Sequence, residues 1–109
     1  MTAKLSVHPG RILKREVAAR GLSANALALA LRTPSGRVTD ILNAKRGISP
    51  ETALRLARNF GNAAQFWLNL QVAYELARVE ADIGARVAEE VAPAARREKL
   101  RLVVSRNSA

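Results

Sequence analysis

The chain of 109 residues contains no cysteine. That excludes a disulfide framework, thiolate metal sites and thiol catalysis, and it suits a reducing compartment such as the cytoplasm. Histidine occurs once, as His8, with no acid cluster near it in sequence, so no metal site is expected. Aromatic residues are scarce, at two Phe, one Trp and one Tyr, which limits the volume available to fill a core. The longest apolar run, Ala26 to Leu31, is far too short to cross a bilayer. Met1-Thr2-Ala3-Lys4 leads into no apolar stretch of the kind a signal peptide needs. No membrane association is therefore expected. Neither a suitably placed pair of acids nor a glycine-rich phosphate loop is found, so an enzyme is not expected, and no cofactor.

Acidic residues are also few in one part of the chain. Residues 1–61 carry eleven basic and three acidic side chains, whereas residues 62–92 carry two basic and five acidic. Residues 93–109 are basic again, with five against one. A cationic excess confined to the first sixty residues exceeds what solubility requires and points to a polyanion, with nucleic acid ahead of an acidic protein or a membrane surface.

Alanine is abundant, and the apolar residues recur at helical spacing. A first helix is expected over about Arg11–Arg20, after the boundary Pro9-Gly10, with Ile12, Leu13, Val17 and Ala18 apolar and Gly21 as its stop. His8-Pro9-Gly10 shapes its start. Ser23 caps a second, short helix whose stripe is Leu22, Ala26, Leu27, Ala30 and Leu31. Thr33-Pro34 opens a third, with Thr33 as cap and Val38, Ile41 and Leu42 inward. The loop Asn43–Gly47 ends it. Ser49-Pro50-Glu51 opens a fourth, which runs through Ala53, Leu54 and Ala57 to Phe60 and stops at Gly61. A longer fifth helix starts near Asn62 or Ala63 and extends to about Val91, before Pro93. On it, Phe66, Leu70, Ala73 and Ala77 are expected to pack on the first four helices. Trp67, Leu70 and Tyr74 are expected to point partly outward, as a dimer surface or as the completion of the core. The tail contains Leu100-Arg101-Leu102-Val103-Val104, either a frayed end or a strand added to a partner's sheet edge. The expected division is residues 1–77 as the globular domain and 78–109 as a helical extension with a basic tail.

Two short helices joined by a tight turn, Ser23–Leu31 and Pro34–Asn43, have the proportions of a helix-turn-helix, whose second helix enters the DNA major groove. Its early positions are Ser35, Gly36, Arg37, Thr39 and Asp40. Arg37 is the candidate base reader, because a guanidinium bonds guanine O6 and N7 together. Ser35 and Thr39 reach bases or phosphates. Asp40 either accepts from cytosine or orients Arg37. Gly36 either admits the DNA backbone closely or is a tolerated small residue. Arg32 in the turn, Lys45 and Arg46 in the following loop, and Ser23 and Asn25 at the start of the second helix are candidate phosphate contacts.

Four stretches carry a family resemblance: His8-Pro9-Gly10-Arg11-Ile12-Leu13; Arg37 to Asn43; Ile48 to Ala57; and Phe60 to Gln71, with its Phe66-Trp67-Leu68-Asn69-Leu70-Gln71 run. In these the chain resembles the HigA-like antitoxins, a branch of the lambda-repressor-like (Xre-type) helix-turn-helix proteins, over about residues 8–77. The resemblance implies an all-α domain of about five helices. It also implies a homodimer that represses its own operon on double-stranded operator DNA, and a cognate toxin, usually a RelE-like mRNA-cleaving ribonuclease, silenced by direct binding. A dimer would place two recognition helices about 34 Å apart on a palindrome. A stand-alone repressor without a toxin is the alternative. Arg32 stands where many helix-turn-helix proteins have glycine, which implies a turn that needs no left-handed residue there.

Overall fold

The computed structural model describes residues 7–94, and among these the regular secondary structure is all α-helix. The helices are α1 (Pro9–Ala19), α2 (Ala24–Leu31), α3 (Ser35–Leu42), α4 (Pro50–Phe60) and α5 (Ala64–Glu90). The tail segment Leu100–Val104 and the first six residues lie outside the described range. The chain divides into two compact units at Val79 and Glu80. The first holds α1–α4 and α5 as far as Val79; the second holds the remainder of α5. No helix among the described residues is long and apolar enough to cross a membrane.

The helix starts follow the capping chemistry of the sequence. Ser23 Oγ accepts from the Ala26 amide at 3.0 Å and Ser49 Oγ from the Thr52 amide at 3.2 Å, each satisfying one orphan N–H of a first turn. His8 does the same for α1, its Nδ1 accepting from the Gly10 amide at 2.8 Å. Gly61 ends α4 in the left-handed conformation, at φ 76°. The third helix departs from expectation. Its N-cap is Pro34, with no side-chain bond. Thr33 is buried, and its hydroxyl donates to the Leu31 carbonyl at 3.4 Å, so it serves the end of α2 instead.

The core of the first unit is built from Leu13 and Val17 of α1, Leu27, Ala28 and Leu31 of α2, Val38 and Ile41 of α3, Ile48, Ala53 and Leu56, and Trp67 of α5. The buried stripe of α2 therefore includes Ala28, while Ala30 is exposed. On α4, Leu56 is buried and Leu54 is 65% exposed. On α5 the expected inward face is right at Leu70, which packs on the core, and one residue out of phase elsewhere. Trp67 and Gln71 are buried, whereas Phe66 and Ala73 are exposed.

Trp67 is completely buried. Its Nε1 donates to Asn62 Oδ1 at 3.1 Å, and its ring meets Phe66 edge-on at 5.1 Å and Phe60 at 5.8 Å. Leu70 packs against the core and Tyr74 stands edge-on to His8 at 4.9 Å. Trp67 is thus removed from any dimer surface, and the core-completing alternative describes it. With so few aromatic residues in the chain, its volume is needed inside.

Burial pushes the His8 imidazole below its ordinary value of 6.5, and the nearby Arg78 charge acts in the same direction. The neutral ring is also the form whose Nδ1 can accept from Gly10. An unfolded chain takes up the proton near 6.5, so the stability tied to neutral His8 is full above that pH. It is lost as the pH falls from there toward the lowered folded value. Thermal unfolding at pH 7.5 and 5.5 should show a larger drop for the natural chain than for His8→Asn, which keeps a capping acceptor and does not titrate. Equal drops would mean that His8 does not set this dependence.

Candidate DNA-binding face

The face expected to meet DNA is assembled from three neighbouring pieces of chain: the start of α2, the first two turns of α3 and the loop from Asn43 to Ile48. Among them Ser35, Gly36 and Thr39 are exposed, while Arg37 and Asp40 are half-buried. Val38 and Ile41 anchor the opposite side of α3 in the core. No carboxylate lies within ion-pair distance of Arg37 among the described residues; Asp40 instead faces Arg46, at 4.0 Å. The alternative in which Asp40 orients Arg37 is therefore not the arrangement found.

A β-carbon added at Gly36 would meet nothing within 4 Å. The fold does not require glycine there, although glycine in a helix costs roughly 0.5–1 kcal/mol relative to alanine.

The turn between α2 and α3 overturns one expectation. Arg32 is left-handed, at φ 57° and ψ 45°. The geometry that glycine commonly supplies is thus required, and an arginine adopts it at a cost on the order of 1 kcal/mol. Its amide still donates to the Leu29 carbonyl, and Arg55 closes the end of α2 by donating from Nη1 to the Leu31 carbonyl at 3.0 Å. Arg32 is exposed. At the start of α2, Ser23 Oγ is occupied by the Ala26 amide and Asn25 is exposed.

The loop that carries Lys45 and Arg46 is pinned on both sides. The Ala44 amide donates to the Ile41 carbonyl at 3.0 Å, and the left-handed conformation of Ala44, at φ 61°, turns the following Lys45 amide back onto the Asp40 carbonyl at 2.8 Å. Beyond the basic pair, the Ile48 amide donates to Gln71 Oε1 of α5 at 2.8 Å, and Gln71 Nε2 donates to Glu75 at 2.8 Å. Gly47 lies so close to the Gln71 amide that a β-carbon would sit 2.7 Å from it. Sequence reasoning missed Gln71 and Arg55 as supports of this face. Neither has a local pattern that reveals a partner 23 or 24 residues away.

Residues 13–67 match the family HTH_3, helix-turn-helix. The chain belongs to the helix-turn-helix family. It is 50% identical over 78 residues to virulence-associated protein I of Dichelobacter nodosus, covering 71% of this chain and 72% of that protein. The addiction module antidote protein of the HigA family from Coxiella burnetii superposes with a TM-score of 0.79 at 46% identity, over 82% of this chain and 98% of that one. Pseudomonas aeruginosa antitoxin HigA, solved with the higBA promoter, superposes with a TM-score of 0.80 at 42% identity, over 83% and 99%. The resemblance to HigA-like antitoxins, and with it the all-α lambda-repressor-like fold, is borne out by these likenesses.

Proposed function

We propose that this helix-turn-helix protein is the antitoxin of a toxin–antitoxin module, that it binds its own operator as a homodimer, and that it silences a RelE-like mRNA-cleaving toxin by direct contact in the cytoplasm. The observation that carries the DNA half is the free, cationic start of α3, with Arg37 unopposed by any described carboxylate, in a fold shared with an antitoxin solved on promoter DNA. In this reading Arg37 reads a base edge, with Ser35, Thr39 and Asp40 beside it. Arg32, Lys45, Arg46, Ser23 and Asn25 hold phosphates. Gly36 lets the DNA approach the helix.

The toxin half rests on the likeness to HigA-family antidote proteins. Co-expression with the protein encoded by the adjacent gene tests it: stable co-purification and relief of growth arrest are expected. Operator binding without complex or rescue would leave a plain repressor.

In this reading the dimer surface lies on another stripe of α5. Leu70 and Tyr74 are half-buried against their own chain, whereas Val72, Leu76 and Val79 are 59%, 54% and 51% exposed at i, i+4 and i+7 of α5. Such a stripe in helical register is the usual form of a helix–helix seam.

Three substitutions probe the DNA face. Arg37→Ala should cost about 1–3 kcal/mol and relax preference at one base position, whereas Lys45→Ala should weaken all sequences evenly and lower the salt slope by about one. Even weakening by Arg37→Ala across sequences would demote that side chain to a phosphate contact. Gly36→Ala should raise the stability of the free protein by roughly 0.5–1 kcal/mol while weakening operator binding. A variant more stable and equally tight on DNA would remove Gly36 from the interface.

A further inference from the structure

A second cationic surface lies on α1, outside the face described above. Arg11, Lys14 and Arg15 occupy exposed positions i, i+3 and i+4, which share one side of the helix. With Ala18 they form one wall of an open groove of about 640 Å³; the other wall is the end of α3 with Asn43 and Ala44.

Three like charges so placed repel one another, and no carboxylate of the described residues offsets them. The acids of the first sixty-one residues are all engaged elsewhere. Glu16 pairs with Arg20 at 3.4 Å, Asp40 faces Arg46 and Glu51 pairs with Arg55 at 3.1 Å. No ion pair of Arg11, Lys14 or Arg15 is found among the described residues. The groove thus holds three cations without a carboxylate partner among the described residues, with the C-terminal end of α3 and its polar Asn43 on the far wall. That wall runs directly into Lys45 and Arg46.

We propose that this groove holds the sugar–phosphate backbone of DNA beside the segment that α3 reads, so that the footprint continues from the Lys45–Arg46 loop onto α1. The inference rests on the DNA-binding reading given above. The chemistry fits a run of phosphates: arginine offers planar paired donors to phosphate oxygens, and lysine adds a point charge. An acidic segment of a partner protein is the competing occupant. Continuity with the loop at Asn43–Ala44 favours the nucleic acid.

The test uses the full chain and a triple variant, Arg11→Gln with Lys14→Gln and Arg15→Gln. Affinity is measured between 50 and 200 mM salt for an operator duplex carrying about ten extra base pairs on each side, and for a scrambled duplex of the same length. Each lost phosphate contact reduces the salt slope by about 0.9. The triple variant should therefore show a slope smaller by about two to three, weaker binding to both duplexes alike, and a melting temperature no lower than that of the natural chain. The conservative variant Arg11→Lys with Arg15→Lys should keep most of the natural slope. A triple variant with natural affinity and slope overturns the proposal, and if that variant also loses co-purification with the neighbouring protein, the groove belongs to a protein partner. A natural chain that binds no duplex at all removes the underlying DNA reading as well.

Discussion

Trp67→Ala should lower the stability of the protein by about 3–5 kcal/mol, most of the total if that stands at the low end of the usual 5–15 kcal/mol. The ring is the largest fully buried side chain among the described residues. Removing it opens a cavity in the core, strips Phe60 and Phe66 of their aromatic neighbour, and leaves Asn62 Oδ1 without its donor. The experiment separates core from interface. Urea unfolding of the variant should show the same large loss at low and high protein concentration, because the lost contacts lie within one chain. A variant that stays folded as a monomer, with only its self-association weakened, would return Trp67 to a dimer surface.

Gly10→Ala should cost about 3 kcal/mol, at the upper end of what overpacking usually costs. The β-carbon would be placed on the Ile41 carbonyl of α3, and backbone cannot rotate away as a side chain can. Relief requires lifting α1 off α3, which disturbs Leu13, Val17, Val38 and Ile41 together. Gly47→Ala makes the informative contrast. Its β-carbon meets only the end of the Gln71 side chain, which can swing. The swing breaks the bonds from Gln71 to the Ile48 amide and Glu75, so the loss should appear mainly in the position of the Lys45–Arg46 loop. Thermal unfolding of the two variants should rank Gly10→Ala far below Gly47→Ala; the reverse order would mean that α1 is not seated on α3 as described.

What was legible in the sequence follows local chemistry. Ser23, Ser49-Pro50 and Gly61 mark helix ends through bonds made within a few residues, and the structure has them there. The short α2–α3 pair was legible for the same reason. What was not legible depends on long-range packing. The facing of α5 turned on which of several apolar residues the other helices could accommodate, and the alanine-rich pattern left two phases nearly equivalent. Gly10 reads as a boundary signal beside Pro9, yet its role is to let two helices touch. Arg32 reads as evidence against a left-handed turn, yet the fold imposes that conformation and Arg55 supports it from α4. Thr33 has the composition of a cap but is drawn inward.

The central claim is that the start of α3 reads DNA sequence. Its most direct test is the affinity of the chain for the DNA upstream of its own gene against a scrambled duplex of equal length, at fixed salt near 0.15 M. A preference of at least about a thousandfold is expected, the lower end for specific DNA-binding proteins, reduced by Arg37→Ala. Equal affinity for the two duplexes, with Arg37→Ala indistinguishable from the natural chain, would contradict it.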